Sequence, residues 1–210
     1  MKYGILLVAL LLMACSNVQK SDIDEFIIDP NIKNEVEKYI VDKPEYASFG
    51  DMEVYNNSIY VESFENDNLL LSSTDFSRKA PFKSFYYWNN DTLAIAGAFG
   101  LFGGTGFYIK IVDNKATLFH LLSADGSPSY AYNATDDFIF KLEVPCTDTK
   151  IVLSEMPDST KKQLIYGYVE FKSADFYSGS NESLEGEKSK RKKMRNNMKI
   201  YFKSGFVKFN

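Results

Sequence analysis

The sequence predicts a mainly β protein: an antiparallel β-sandwich or barrel carrying one N-terminal amphipathic helix. Three observations carry the prediction. Hydrophobic residues make up 45% and charged residues 25% of 210 residues, the balance of a folded domain with a real core. Aromatics reach 15%, almost all Tyr and Phe, and flat rings pack well on a pleated surface. From Met52 onward, short apolar runs alternate with turn clusters about every ten residues, the rhythm of an antiparallel all-β fold.

Taken in order, the chain opens on a short basic start, Met1-Lys2-Tyr3-Gly4, followed by the unbroken apolar run Ile5 to Ala14. That is the layout of a secretory signal, and the run is too short for a membrane span of about 20 residues. Residues 1–14 therefore read as a signal peptide that ends in Leu12-Met13-Ala14-Cys15. This ending resembles the lipobox of bacterial lipoproteins, which has Leu three before the Cys and a small residue just before it. Leu12, Ala14 and Cys15 fit; Met13 departs from the Ala, Ser, Thr, Val or Ile more usual there. The resemblance covers residues 1–15. It implies cleavage before Cys15 and attachment of diacylglycerol to its sulfur, with acyl chains such as palmitate, so the membrane partner is reached through an N-terminal lipid. Ser16, where an inner-membrane retention signal has Asp, implies the outer membrane of the cell envelope. Residues 15–28 read as the lipidated tether, and 29–210 as a single β-rich domain.

Asp29-Pro30 opens the one convincing helix, with Asp29 as its cap, Pro30 in the first turn and Pro44 as its stop. Ile32, Val36, Tyr39 and Ile40 form an apolar stripe on one face. Several later segments alternate with period two. Phe107, Ile109 and Ile111 share a face against Tyr108 and Lys110. Phe138, Phe140, Leu142 and Val144 oppose Ile139, Lys141 and Glu143. Ile165, Val169 and Phe171 oppose Tyr166, Tyr168, Glu170 and Lys172, and Met198, Ile200 and Phe202 oppose Lys199, Tyr201 and Lys203. Such strands bury one face and leave the other wet. Residues 179–195 are polar and read as a long mobile loop joining two strands that pair antiparallel.

Chemistry-bearing motifs are few. Gly97, Gly100, Gly103, Gly104 and Gly106 lack the Gly-Lys-Ser/Thr and helix of a phosphate loop, and read as a strand connection where backbones approach closely. His120 is the only histidine, in an apolar run, and reads as a hydrogen-bonded residue at a strand face; no metal site is assigned. With Cys15 acylated, Cys146 has no disulfide partner and reads as a small buried hydrophobe. The basic run Lys188 to Arg195 follows Glu182, Glu185 and Glu187, and reads as a solvated loop or a patch for an anionic partner such as lipid headgroups. Removing Lys2 with the signal moves the formal charge from −4 to −5, so nucleic acid is not an expected partner.

Phe85-Tyr86-Tyr87-Trp88 and Tyr130/Tyr132 are aromatic clusters that suit either a core or a stacking surface. Tyr166, Tyr168 and Tyr201 are the candidate ligand-binding residues, on a face edged by charges; the alternative is that the helix or a loop shields them. No catalytic residue and no cofactor is assigned. The leading expectation is a non-enzymatic, lipid-anchored β-domain that binds a glycan, a peptide or another envelope protein. The alternatives are a hydrolase with an unidentified carboxylate pair, for example acting on glycans, and a purely structural envelope component.

Overall fold

The computed structural model describes residues 26–41, 54–73, 78–100, 103–179 and 191–208. The signal peptide, Cys15, Pro44 and most of the polar segment after Gly179 lie outside the described residues. The elements are β1 (Phe26–Ile28), α1 (Ile32–Tyr39), β2 (Ile40–Val41), β3 (Val54–Glu65), β4 (Asn68–Ser72), β5 (Arg78–Asn89), β6 (Thr92–Phe99), β7 (Gly104–Val112), β8 (Lys115–Ser123), β9 (Tyr130–Ala131), β10 (Lys141–Leu153), β11 (Ile165–Ser173), β12 (Phe176–Ser178) and β13 (Lys192–Phe206). The molecule is mainly β, as its aromatic content and turn rhythm predict.

Eight of these strands form a ring: β3, β5, β6, β7, β8, β10, β11 and β13, each antiparallel to the next, with β13 returning to β3. Closure runs through β3. Residues 54–59 pair with β5, and residues 59–65 pair with β13. Where β3 has not yet begun, Gly205 and Phe206 of β13 pair directly with Phe85 and Tyr86 of β5. Eight strands leave a lumen just wide enough for side chains to fill. Ile59, Leu93, Ile95, Phe107, Ile109, Leu118, Val169, Ile200 and Phe202 fill it, each at most 3% exposed. Phe202 stacks at a tilt on Phe107, with centroids 4.9 Å apart. Its ring also lies against Gly167, where a Cβ would collide with it. Outward positions of β11 and β13 carry Glu170, Lys172, Lys199 and Lys203, the reverse of a barrel that faces lipid.

The turns follow their residue chemistry. Asn66-Asp67 and Asp113-Asn114 all have positive φ, as two-residue hairpins require, and Asn and Asp tolerate it. Gly100 and Gly104, with φ of +111° and +140°, turn β6 into β7. The β5–β6, β7–β8 and β10–β11 connections lie at one end of the barrel, here the upper end. The β3–β4, β6–β7, β8–β10 and β11–β13 connections lie at the lower end.

Five features differ from the sequence reading. Phe26–Ile28, expected in the tether, forms β1 parallel to Ile151–Leu153. β8 pairs only with residues 141–145 of β10, which leaves that upper edge open for β1. The helix starts later than Asp29 because the Asp29 carboxylate accepts the backbone N–H of Asn31 at 2.9 Å and ties off a turn. It ends at Tyr39, before the expected stop, because Ile40 swings into extended backbone and pairs with Asn57. Phe140 does not share the buried face of Leu142 and Val144. Ile139 bridges to Tyr130 just before β10 begins, and Phe140 is left 48% exposed. Finally, residues 192–195 of the expected 179–195 loop are the first turnless stretch of β13. Lys192 reaches Glu65 of β3 at 3.0 Å and Lys193 reaches Asp175, between β11 and β12, at 2.8 Å, so carboxylates from distant parts of the chain draw the basic run into the sheet.

His120 lies in the lumen, fully buried, with Nε2 2.6 Å from the Thr105 hydroxyl and its ring near Phe171 and Phe176. Nδ1 has no partner. Burial pushes its pKa down from 6.5 to about 3. The unfolded chain therefore takes up a proton in acid that the folded protein refuses, and stability falls as pH drops below about 6.5. Because the chain has no other histidine, the window between pH 6.5 and 4.5 belongs to this group. Denaturant midpoints across that window should decline with a slope near one proton, about 1.4 kcal/mol per pH unit at its steepest. His120→Phe should flatten the slope; an unchanged slope would show that the imidazole is not its source.

Candidate functional site

The three candidate tyrosines are brought together. Antiparallel pairing of β11 with β13 sets Tyr168 directly opposite Tyr201, with Tyr166 one step along the same face. Helix α1 lies on that face. Ile32, Val36 and Ile40 form a small buried cluster with Val152, and Tyr166, Tyr168 and Tyr201 pack against it. Tyr39 of the helix stacks on Tyr201 with centroids 4.5 Å apart and planes within 11°. Tyr168 contacts Tyr201 at 4.8 Å and donates its hydroxyl proton to Glu170 at 2.8 Å. Burial, then that hydrogen bond to a carboxylate, pushes the Tyr168 phenol far above its ordinary pKa. Lys33 and Lys203 sit over the Tyr166 ring at 5.2 and 5.8 Å. The face is thus a platform for the helix.

An open groove lies elsewhere, on the outer face of β5, β6, β7, β8 and β10 toward the lower end, with a volume of about 650 Å³. Its origin is a run of small residues. Strand β6 reads Thr-Leu-Ala-Ile-Ala-Gly-Ala-Phe; Leu93, Ile95 and Phe99 go to the lumen, and Ala94, Ala96 and Ala98 face outward. On β7 the neighbouring outward positions toward the lower end are Gly104 and Gly106. A Cβ at Gly106 would strike the carbonyl of Gly97, so the two backbones approach there as the glycine content implies. A floor without side chains is walled by large ones. Phe85 and Tyr87 stand on β5, Tyr108 on β7 and Leu121 on β8, with Lys83, Lys141 and Glu143 at the rim.

The walls are ordered. Tyr87 and Tyr108 join hydroxyls at 3.2 Å across the alanine strand, and Phe85 stacks on Tyr87 at 6.3 Å. Burial first, then the Tyr87 hydrogen bond, raises the Tyr108 pKa well beyond the phenol range, so the Tyr108 hydroxyl stays protonated. Lys110 covers the rings of Tyr108 and Phe119 at 5.0 and 5.1 Å and approaches Glu143 at 3.9 Å. From β5 to β10 the groove crosses four inter-strand spacings, about 19 Å. Phe85 and Tyr87 come from the aromatic cluster recognised in the sequence, whereas Tyr86 points into the lumen. Tyr108, Leu121 and the rim charges were not singled out; the alternating Ala94, Ala96 and Ala98 were the readable sign that an outer face had been left low.

A second recess of about 340 Å³ lies on the outer face of β3, β13, β11 and β10, among Tyr60, Glu62, Asp148, Glu170, Lys172, Asn197 and Lys199. It holds carboxylates in quantity, and each is engaged. Glu62 accepts from Asn197 at 2.9 Å and from Tyr60 at 2.7 Å, which holds its carboxyl below the ordinary range. For Glu170, burial works upward, but hydrogen bonds from Tyr168 and Lys199 outweigh it and the net shift is downward. Asp148 pairs with Lys172 at 2.8 Å. Cys146 is fully buried against the carbonyl of Val144. Among the described residues no cluster of His, Cys, Asp and Glu could hold a metal ion, and no helix is long and apolar enough to cross a membrane.

No family model, no curated protein and no solved structure matches the chain.

The platform and the groove respond differently to mutation. Changing Tyr166, Tyr168 and Tyr201 together to Ser should cost several kcal/mol, because the contacts that seat α1 are removed. Chemical denaturation reads this directly. A loss under about 1 kcal/mol would mean that the tyrosines are dispensable for packing and free for another role.

Proposed function

We propose that this chain is a lipid-anchored protein of the cell envelope whose barrel binds an extended glycan in the outer aromatic groove. The observation that carries the reading is the groove itself: a floor of Ala96, Ala98 and Gly104 between Phe85 and Tyr87 on one side and Tyr108 and Leu121 on the other. Flat rings over a low floor offer stacking surfaces for the C–H faces of sugars, and phenol hydroxyls with Lys83, Lys141 and Glu143 offer polar contacts at the edges. An extended peptide is served less well. It gains most of its affinity by joining an open sheet edge, and here β6, β7 and β8 are paired along both edges.

The hydrolase alternative draws less support from the same geometry. A glycoside hydrolase needs two carboxyls, one of them kept protonated by a raised pKa. Among the described residues the groove lining has one carboxylate, Glu143. In the other recess Glu62 and Glu170 are both shifted the wrong way for a general acid. The anchoring half of the proposal rests on the lipobox-like Leu12-Met13-Ala14-Cys15 behind its apolar run.

Two experiments test the two halves. Ala98 is exposed on the groove floor, so Ala98→Trp should leave the melting temperature within about 2 °C while weakening retention of tri- to pentasaccharides about tenfold or more. Equal retention by both proteins, or none by the parent across a glycan panel, would rule the groove out. For the anchor, Cys15→Ser should abolish incorporation of a clickable fatty acid and leave a slower-migrating precursor. Equal label on both forms would refute lipidation at this sulfur.

A further inference from the structure

Strand β4 is unusual for a folded protein. Asn68 to Ser72 is exposed along its whole length, and Leu69, Leu70 and Leu71 are 57%, 60% and 44% exposed. Successive side chains of a strand point to opposite faces, so both faces of this short strand are apolar and uncovered. It pairs with β3 alone among the described residues, and it stands at the lower end of the barrel. In water such an edge invites aggregation.

A second exposed apolar point shares that end. Tyr132 and Phe140, 47% and 48% exposed, lie beside β9 and the start of β10. One continuous ladder, β4–β3–β13–β12–β9, connects the two points, which places them about 19 Å apart. Between them Lys192 and Lys193 of β13 are paired with Glu65, Asp67 and Asp175, so both ammonium groups are compensated.

The direction of β1 says what this end faces. β1 runs parallel to β10, and β10 runs from the lower end to the upper. Phe26, the first described residue, is therefore the lower end of β1. Cys15 is eleven residues before Phe26, a reach of up to about 38 Å. From the level of Phe26, opposite Ile151, to the lower end at Lys141 is about 33 Å along β10. An acylated Cys15 can thus lie level with the leucines.

We infer that the lower end of the barrel docks on the bilayer that holds the N-terminal lipid, with the β4 leucines inserted and Tyr132 and Phe140 resting at the interface. The inference rests on the anchored reading above. Lipid covers both faces of β4 at once, whereas a protein partner would cover one face or the edge. The N–H and C=O groups along the outer edge of β4, unpaired among the described residues, limit insertion to the headgroup and upper acyl region, where water still reaches them. With those two lysines compensated, the contact is driven by apolar side chains and is insensitive to salt. Docked in this way, the barrel holds the groove at its lower half close to the membrane surface.

The test uses the full, cell-processed protein in vesicles of phosphatidylethanolamine and phosphatidylglycerol. Leu70→Cys and, at the upper end, the exposed Val112→Cys are each labelled with a bimane; the buried Cys146 does not compete. Nitroxide lipids spin-labelled near the headgroup should quench position 70 about threefold more than position 112, with little change from low to high salt. Protein that carries the acyl label and floats with vesicles, yet shows equal quenching at both positions, overturns docking alone. Protein with neither acyl label nor flotation overturns the anchored reading and docking together. Concentration-dependent protection of position 70 without vesicles would instead assign the leucines to a second copy of this chain.

Discussion

Closure of the sheet through β3 is the constraint on which the remaining architecture depends. A flat sheet of these strands would have two open edges and one apolar face. With β3 shared between β5 and β13, the same apolar face curls into a lumen, and the backbone groups that would have formed edges pair with each other. The cost is geometric. Side chains that fill so narrow a space must yield to one another, which is why Phe202 needs Gly167 beneath it and why the Ser84 and Ser204 hydroxyls hydrogen-bond to each other where β5 and β13 meet. His120 survives inside on a single hydrogen bond to Thr105 because it stays neutral there.

Once the lumen takes alternate residues, everything functional is left to the outer set. That set is not uniform around the ring. On β11 and β13 it is tyrosine edged by charge, and it is used to seat α1. On β6 and β7 it is alanine and glycine, and the low floor becomes a groove only because β5 and β8 supply tall neighbours. The same period-two rule therefore produces a covered platform on one side and an open recess on the other, according to side-chain size alone.

Much of the fold was legible before any coordinates. The alternation at Phe107–Ile111, Ile165–Phe171 and Met198–Phe202 identified inward residues correctly, and the two late strands pair with each other as their shared pattern implied. The Asn and Asp turns were equally readable. What escaped was set by contacts distant in sequence. The choice of barrel over sandwich depends on where β3 ends up, and nothing local to residues 54–65 announces two partners. Phe26–Ile28 becomes a strand only because β8 vacates the edge beside Ile151. The tyrosine face and the groove face look alike as strings of aromatics; which one a helix covers is decided by the reach of α1. The basic run at 192–195 reads as a loop because its carboxylate partners, Glu65 and Asp175, lie far from it in sequence.

The small parallel strand at Phe26–Ile28 has a mechanical consequence. A force that reaches the barrel through the chain before Phe26 pulls toward the lower end, along the axis of β1 and not across it. The bonds between β1 and Ile151–Leu153 are then loaded together in shear, and none can be unzipped ahead of the others. The load passes next to Asp29, whose N–H is held by Leu153, and then to α1 on its tyrosine platform. Phe26 and the helix that follows are thereby fastened to three adjacent strands of the ring, β10, β11 and β13, before any lumen residue bears strain.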